Sequence, residues 1–262
     1  MSQKGFRLKE RLAVLERHPI GYGAEHLPRW PFHAVGRRAR ELARLSRKLA
    51  ELNRAAANCR TAGEVFETVQ GFPEFRADQK RSEFLSFLEL LALNPPNFLC
   101  EIGSASGGSL FLLARVCAPD ATIISVDFGL SLVRRLIHRQ MAAKRQRIIS
   151  IRGDSRSSET MGRVRSILGT NRLDCLFIDG DHSLAGVTAD FVNYSALVRA
   201  GGTVAFHDIL PDYKSRFGID ASGWTGDVHI LWQQLRSQFP FEEFVENPEQ
   251  DSYGLGVIHW RQ

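Results

Sequence analysis

Five short apolar runs between residues 97 and 208 alternate with segments of helical length and pattern. The apolar runs are residues 97–103, 122–127, 147–153, 173–179 and 202–208, and the helical segments between them are residues 107–117, 131–143, 158–168 and 184–198. Short, continuously apolar strands that alternate with helices are typical of a parallel sheet that is covered on both faces. This alternation therefore predicts an α/β domain.

The end of the chain follows a different pattern. Residues 227–239 have the period of a helix, and two strand-like runs, residues 241–247 and 253–260, follow with only a short polar link between them. Parallel neighbours need a crossover of about a dozen residues or more, so we expect these two strands to pair in antiparallel fashion. The complete prediction is a Rossmann-like α/β fold, with a seven-stranded, mostly parallel sheet, an antiparallel C-terminal hairpin and helices on both faces.

The chain begins with a basic segment. Residues 1–60 contain 14 lysines and arginines against 5 acidic residues, whereas the whole chain of 262 residues contains 34 against 29, so the rest of the chain is net acidic. A further helix is predicted at residues 78–93, where Pro95 and Pro96 end the helical pattern. We therefore assign residues 1–77 to a basic, helical N-terminal arm.

Within the arm, residues 37–57 are predicted to form an amphipathic helix after an irregular link at residues 26–36. Leucines recur along this helix at steps of three and four residues: Leu42, Leu45, Leu49 and Leu52. Such a stripe packs on the body of the same chain or on a second subunit, and the second arrangement would make a homo-oligomer through the arm. A basic amphipathic helix also suits a membrane surface or nucleic acid.

The sequence carries no signal for a membrane or an oxidising compartment. No apolar run approaches the length of about 18 residues that a membrane-spanning helix needs. The first residues are basic but lack the long apolar region and cleavage site of a signal peptide. The four cysteines lie far apart, without metal-finger spacing: Cys59, Cys100, Cys117 and Cys175. We therefore expect a reducing, cytoplasmic location.

A glycine-rich loop, within "CEIGSASGGSLF", follows the first predicted strand. Its glycines allow the backbone to turn tightly and approach a ligand at the N-terminus of a helix. A dinucleotide fingerprint would need glycine at 103, 105 and 108, but residue 105 is alanine. Glu101 would also repel a pyrophosphate, whereas it would favour a ligand that carries positive charge.

The next two strands also end in polar residues. Asp127 ends the second strand, where a carboxylate can bind both hydroxyls of a ribose. Asp154 and Ser155 follow the third strand and could reach the edge of an adenine. A nucleoside with a cationic tail fits this set of residues, and S-adenosylmethionine is such a molecule.

Taken in order, these strand ends and the final hairpin resemble the class I S-adenosylmethionine-dependent methyltransferases over roughly residues 78–260. The resemblance assigns residues 78–262 to a cofactor-binding methyltransferase domain. It implies that Glu101 and Gly103 line the methionine part of the cofactor and that Ser109 binds its carboxylate. It further implies a role for Asp127 at the ribose, and roles at the adenine for two residues: Asp154 and Ser155.

Strands four and five end in "FIDGDH" and "AFHD". Their carboxyl ends should lie side by side, which would bring Asp179 close to His207 and Asp208. Two carboxylates and an imidazole can hold a divalent cation, and such a cation lowers the pKa of a bound hydroxyl group. His182, three residues after Asp179, is expected to accept the proton as a catalytic base, and Asp181 is expected to cap the loop.

This spacing resembles a narrower group, the metal-dependent O-methyltransferases of the catechol and macrocin types and the cephalosporin-hydroxylase-like proteins. The resemblance implies a small-molecule hydroxyl substrate, such as a sugar or a glycosylated or phenolic natural product, with Mg²⁺ or Mn²⁺ as a second cofactor. The first strand-five ligand is usually an oxygen in this group, whereas here it is His207. Imidazole favours Mn²⁺, Fe²⁺ or Zn²⁺ over Mg²⁺, unless His207 points away and Asp179 and Asp208 hold the metal together with waters. Without a metal, these residues would serve only as acid–base and hydrogen-bonding groups.

Two other functions remain open at this stage. A nucleic-acid methyltransferase could use the basic arm to hold phosphates, although no Asn/Asp-Pro-Pro-aromatic motif follows strand four. A non-catalytic member could bind the cofactor and use the arm as a scaffold. Gln79 and Glu83, before the first strand, are expected near the cofactor, Trp224 and His229 near the substrate entrance, and Trp232 in the core.

Overall fold

The computed structural model describes residues 30–143, 145–219 and 226–261, and these described residues fall into two compact units that divide between Arg40 and Glu41. The strands of the larger unit are β1 (Phe98–Ile102), β2 (Thr122–Asp127), β3 (Arg147–Arg152), β4 (Leu173–Ile178), β5 (Val198–His207), β6 (Phe241–Phe244) and β7 (Leu255–His259). They form one seven-stranded sheet in the order β3-β2-β1-β4-β5-β7-β6.

The helices of the described residues either precede β1 or lie between successive strands. They are α1 (Trp30–Ala57), α2 (Ala62–Gln70), α3 (Arg81–Leu93), α4 (Gly108–Val116), α5 (Leu132–Gln140), α6 (Ser158–Leu168), α7 (Leu184–Ser195), α8 (Tyr213–Phe217) and α9 (Val228–Leu235). Side-chain oxygens of Ser131, Ser157 and Ser183 accept hydrogen bonds from the first turns of α5, α6 and α7, which defines where these helices begin.

The pairing of the strands confirms the predicted fold. Strands β3, β2, β1, β4 and β5 are parallel neighbours, whereas β7 pairs antiparallel with both β5 and β6. The chain order reverses between β1 and β4, because β2 and β3 lie on one side of β1 and β4 lies on the other. In open α/β sheets, ligands bind outside the carboxyl ends of the strands at such a switch point.

Two hydrophobic cores cover the two faces of the sheet. Successive strand residues alternate between them, so that Leu99 joins one core and Cys100 the other. The first core is completed by residues of α1 to α5, and the second by residues of α6, α7 and α9. Because the strands are buried on both faces, their sequences are continuously apolar rather than alternating.

The leucine stripe of the arm packs within its own chain. Leu45, Leu49 and Leu52 are buried and belong to the first core of the unit 41–262. The stripe is therefore used inside the chain, which was the first of the two expected arrangements. The domain boundary expected after residue 77 stays a prediction, and residues 41–77 belong to the same compact unit as the sheet.

The irregular link predicted at residues 26–36 is wrong from residue 30 onward, and residues 26–29 lie outside the described part. Helix α1 already begins at Trp30. Pro31 lies in its first turn, where the missing N–H of proline costs no helical hydrogen bond. Although α1 is long, no helix of the described residues has the apolar length that crossing a membrane requires.

Three local features differ from the prediction. Helices α2 and α8 were not predicted, although Thr61 and Asp212 cap their first turns. Strand β5 begins at Val198, earlier than the predicted residue 202, and its pairing with β4 shifts register between Leu173 and Cys175. The strand thus continues through glycines that a sequence pattern marks as a turn.

Candidate active site

A cavity of about 730 Å³ lies at the carboxyl ends of the parallel strands. This volume lies within the range of small-molecule and cofactor sites. Its lining includes eight of the ten predicted site residues: Gly103, Asp127, Asp154, Ser155, Asp179, His182, His207 and Asp208. The other two, Glu101 and Ser109, are buried and do not line it.

The glycine loop lies directly against the end of β4. Gly103 has a φ of +87°, and a Cβ atom at this position would lie 1.8 Å from the carbonyl oxygen of Asp179. Only glycine fits there, because both the backbone conformation and the space exclude a side chain. The loop that follows β1 and the residue that follows β4 are therefore in direct backbone contact.

Glu101 is fully buried beneath this loop. Burial, followed by the negative charges of Asp179 and Asp127, raises the pKa of Glu101 to about 8, although the neighbouring Ser109 hydroxyl works in the opposite direction. Glu101 is thus mainly protonated at neutral pH when no cation is bound nearby. A cationic ligand at this end of the cavity would favour the ionised carboxylate.

Asp127 connects the ends of β1 and β2. Its Oδ2 accepts a hydrogen bond of 2.8 Å from the backbone N–H of Ala105, and its Oδ1 accepts one of 2.7 Å from Gly129. The next residue, Phe128, lines the cavity although its side chain is 77% exposed. The sequence reasoning missed Phe128, and an exposed aromatic residue directly after a strand-end carboxylate could have indicated it.

Asp154 does not present a free carboxylate to the cavity. Arg156 binds it with two side-chain hydrogen bonds and also reaches Asp181 at 3.3 Å. The hydrogen bonds from Arg156 lower the pKa of Asp154. Asp181 also accepts a hydrogen bond from the N–H of Ser183, as expected of a loop cap. Sequence reasoning missed Arg156, because nothing in the chain order shows that it bridges two loops.

Four titratable side chains meet at the other end of the cavity. His182 lies between two carboxylates, with its Nε2 3.4 Å from Asp179 Oδ1 and its Nδ1 3.4 Å from Asp208 Oδ2. His207 contacts the same two residues, since its Nδ1 lies 3.3 Å from each of these oxygens. The amide of Gln79 donates a hydrogen bond of 2.8 Å to Asp179 Oδ2.

The charges of this cluster reinforce one another. Burial would raise the pKa of Asp179, but His207 and His182 hold it well below its usual range. Burial would likewise lower the pKa values of both histidines, but Asp179 and Asp208 raise them. The Asp179 carboxylate is therefore ionised, and the side chains of Asp179 and Asp208 favour a proton or a cation at the point between them.

Asp208 has a left-handed backbone conformation. Its φ is +61°, which a non-glycine residue adopts at a cost of roughly 1–3 kcal/mol. Strand β5 thus ends at His207, one residue earlier than predicted, and the chain turns so that the Asp208 side chain meets Asp179 and the two histidines. Such strain persists where the surroundings enforce it, and here it completes the cluster.

The donor sets fit the two groups that the sequence implies. For a divalent cation, ligand atoms of Asp179, His182 and Asp208 all lie within 4.8 Å of one another. This set of two carboxylate oxygens and one imidazole suits Mn²⁺, Fe²⁺ or Zn²⁺. For a nucleoside with a cationic tail, the close backbone approach at Gly103, the Asp127 carboxylate and the buried Glu101 are suitable partners.

The remaining candidates lie elsewhere. Glu83 does not line the cavity but holds the loop before β7, and the buried Trp232 packs in the second core. His229 is partly buried and does not line the cavity, and Trp224 lies outside the described residues.

Comparison with known proteins places the fold. Residues 100–209 match the model of a methyltransferase domain, whereas no curated protein sequence matches significantly. The O-methyltransferase TomG from Streptomyces achromogenes, solved in complex with SAM, is 14% identical with a TM-score of 0.53, over 78% of this chain and 92% of that chain.

Two further structures are similar. An O-methyltransferase from Bacillus cereus, solved with SAH, is 12% identical with a TM-score of 0.54, over 80% of this chain and 97% of that chain. Cofactor-bound Rv0187 from MTB is 17% identical with a TM-score of 0.54, over 81% of this chain and 90% of that chain. Residues 100–209 are therefore similar to a methyltransferase domain, and the chain shares the fold of these solved structures.

Proposed function

We propose that the protein is an O-methyltransferase that transfers the methyl group to a small-molecule hydroxyl with the help of a divalent cation. The observation that carries this proposal is the cluster of Asp179, His182, His207 and Asp208 in the same cavity as the glycine loop. Oxygen nucleophiles must lose a proton to attack, and this cluster contains both carboxylates and imidazoles for that purpose.

The cofactor would lie along the ends of β1, β2 and β3. S-adenosylmethionine supplies a methyl group bonded to a positively charged sulfur. Gly103 admits it close to the backbone, Asp127 faces the ribose, and Asp154 and Ser155 border the adenine. Glu101, behind the loop, stabilises the positive charge. We propose that the Ser109 hydroxyl binds the methionine carboxylate, although Ser109 does not line the cavity.

The metal would be held mainly by Asp179 and Asp208. A bound Mn²⁺ or Mg²⁺ would lower the pKa of the acceptor hydroxyl. Two assignments of the imidazoles are compatible with the distances. In the first, His207 is the third ligand and His182 accepts the proton. In the second, His182 is the ligand, and His207 donates its Nδ1 hydrogen to both carboxylates.

We favour proton acceptance by His182 because its side chain is more accessible than that of His207, at 20% against 5%. Both ring nitrogens of His182 lie 3.4 Å from the oxygens of Asp179 and Asp208 that we propose as metal ligands, so His182 borders the point where a hydroxyl would bind. The flanking carboxylates then stabilise the imidazolium that forms when the proton arrives.

The first experiment is calorimetric titration of metal-stripped protein with S-adenosylhomocysteine in the presence of Mg²⁺, Mn²⁺ or Zn²⁺. We expect the cofactor analogue to bind, and Asp127→Ala to weaken that binding by about tenfold. We expect Asp179→Ala to abolish metal binding while the analogue still binds. If the wild type does not bind S-adenosylhomocysteine, the proposal fails. If the analogue binds and no metal does, the metal is excluded.

The two assignments of the imidazoles predict opposite results for two matched variants. His207→Asn should remove most of the Mn²⁺ affinity if His207 is a ligand, whereas His182→Asn should remove it if His182 is. In the favoured assignment, His182→Asn keeps the Mn²⁺ affinity and loses methyl transfer to hydroxyl acceptors. A screen with radiolabelled S-adenosylmethionine against sugars, glycosides, phenols and RNA identifies the acceptor class.

Two further expectations remain proposals. A homo-oligomer through the arm would have to use residues before Glu41 or the exposed polar face of α1, because Leu45 and Leu49 are already buried. Light scattering of the full chain tests it. The cytoplasm suits four unpaired cysteines, and localisation of a tagged chain tests that location.

A further inference from the structure

The wall of the cavity next to the acid–histidine cluster is formed by a turn before β7. Ser252 and Tyr253 both line the cavity and both have left-handed backbones, with φ values of +64° and +63°, and Gly254 continues the turn at +82°. Two consecutive non-glycine residues in this conformation are costly and persist only where the surrounding structure enforces them. The strain is located at the cavity, which points to a functional reason for the turn.

A buried carboxylate holds this turn. Glu83 of α3 accepts hydrogen bonds from the N–H of Gly254 at 2.9 Å, from the side chain of Gln250 at 2.7 Å and from the N–H of Glu246 at 3.1 Å. The amide of Gln250 also donates to the carbonyl of Ser252 at 3.0 Å. One acidic side chain thus fixes three points of the segment that carries the turn.

The turn places Tyr253 between the reactive cluster and a second acid. Its backbone N–H donates to Asp208 Oδ1 at 3.2 Å, and its ring packs edge-on against His207 with the centroids 5.7 Å apart. At the other end of the same side chain, the hydroxyl donates to Asp78 Oδ1 at 3.2 Å. Asp78 also lines the cavity and is exposed. One tyrosine therefore spans the distance between Asp208 and Asp78.

We propose that Tyr253 and Asp78 bind the acceptor and that Glu83 is the residue that positions Tyr253. This inference rests on the proposed function. The acceptor is a ring of about the size of the tyrosine ring that lies beside it. It presents one hydroxyl to the cluster at Asp179 and Asp208 and a second, at the far side of the ring, to the Asp78 carboxylate. The class of acceptor is therefore a ring with hydroxyls at opposite ends.

The test uses two small probes that differ only in the far hydroxyl, hydroquinone and phenol. Their binding to the complex of the full chain with S-adenosylhomocysteine is measured by ligand-observed NMR titration. A hydrogen bond to a charged carboxylate is worth roughly tenfold in affinity, so we expect hydroquinone to bind about tenfold more tightly than phenol. Asp78→Ala should reduce this ratio to about one, and Tyr253→Phe should reduce it in part.

Glu83→Gln should lower the ratio while the affinity for S-adenosylhomocysteine stays unchanged, which a general loss of stability would not produce. Glu83 is buried, so the Glu83→Gln variant could fail to fold. The test is therefore decided by Asp78→Ala and Tyr253→Phe, which change less buried positions. Equal binding of the two probes to the wild type, or a preference that survives Asp78→Ala, would overturn the assignment. Failure of the wild type to bind S-adenosylhomocysteine would instead contradict the proposed function.

Discussion

The guanidinium of Arg156 donates two hydrogen bonds to the carboxylate of Asp154, from Nε to Oδ1 at 3.0 Å and from Nη2 to Oδ2 at 3.1 Å. The carboxylate that sequence reasoning placed at the adenine is therefore already engaged by a neighbour two residues away. Arg156 also contacts Asp181, so it links the loop after β3 to the loop after β4. Asp154 and Arg156 should act on the cofactor as one unit.

The first prediction is that Asp154→Ala and Arg156→Ala weaken S-adenosylhomocysteine binding by similar, non-additive factors. Because the pair is partly exposed, the effect should be modest, about fivefold for each variant and about fivefold for the double variant. Calorimetry on the three variants measures the coupling. Arg165→Ala, an exposed arginine of α6 that does not line the cavity, is the control and should have no effect. Losses that multiply in the double variant would mean that each residue contacts the cofactor independently.

A second prediction concerns the contact between the glycine loop and β4. Gly103→Ala should destabilise the protein by about 3 kcal/mol and abolish S-adenosylhomocysteine binding, because the new Cβ would occupy the position of the Asp179 carbonyl. Urea unfolding and calorimetry measure the two effects. The matched control is Gly162→Ala in α6, where nothing lies within 4 Å. That change should leave stability unchanged or raise it by about 1 kcal/mol. Normal binding by the Gly103→Ala variant would contradict the loop contact.

A third prediction follows from the buried Glu101. Its pKa is raised from 4.5 to about 8 in the folded protein, so the unfolded chain releases this proton at a lower pH than the folded chain does. Between these values the folded state binds more protons, and the contribution of Glu101 to the free energy of unfolding therefore falls as the pH rises. The loss should total up to about 4 kcal/mol.

The measurement is urea unfolding of wild type and Glu101→Gln in the absence of cofactor, from pH 5 to about pH 8.5. The free energy of unfolding of the variant should increase relative to that of the wild type as the pH rises through this window. Glu89→Gln, at an exposed position of the neighbouring helix α3, serves as the control. Its free energy of unfolding should change with pH in the same way as that of the wild type. A constant difference between wild type and Glu101→Gln would show that Glu101 ionises normally.

A fourth prediction addresses the metal. Asp208→Asn should lower Mn²⁺ affinity by about tenfold or more, because one of the two carboxylate groups of the proposed metal site is lost. The fold should persist, since asparagine tolerates the left-handed conformation at this position as well as aspartate does. Calorimetry measures the affinity for Mn²⁺, and urea unfolding measures the stability of the fold. Asp181→Asn removes another carboxylate of the cavity lining and should leave the metal affinity intact. Equal losses in both variants would indicate a diffuse electrostatic effect instead of a coordination site.

The order of strands and the proximity of their ends were predictable from the sequence. Parallel strands with continuous apolar runs place their carboxyl ends at one edge, so Asp127, Asp179 and Asp208 had to lie along that edge. The contact of the Glu83 carboxylate with Gly254 was not predictable, because 171 residues separate them and no local pattern encodes the pairing. The left-handed conformation of Asp208 was also not predictable, because the sequence pattern of the strand continues through this residue.

The loops around the cavity also show where pattern reasoning ends. Ser109 carries a hydroxyl at the start of a helix after the glycine loop, which suggests a ligand contact, yet it is buried beside Glu101. Arg156 looks like one more surface arginine until its two partners come together in space. Side-chain direction at a loop depends on the tertiary contacts of that loop, and these are absent from the linear sequence.

The proposed acceptor wall lies outside the stretch that matches the methyltransferase domain. Asp78 precedes that stretch and Tyr253 follows it, whereas the glycine loop and the strand ends for the cofactor lie within residues 100–209. A match to the methyltransferase domain model thus extends over the strand ends of the cavity and leaves the proposed acceptor wall outside it.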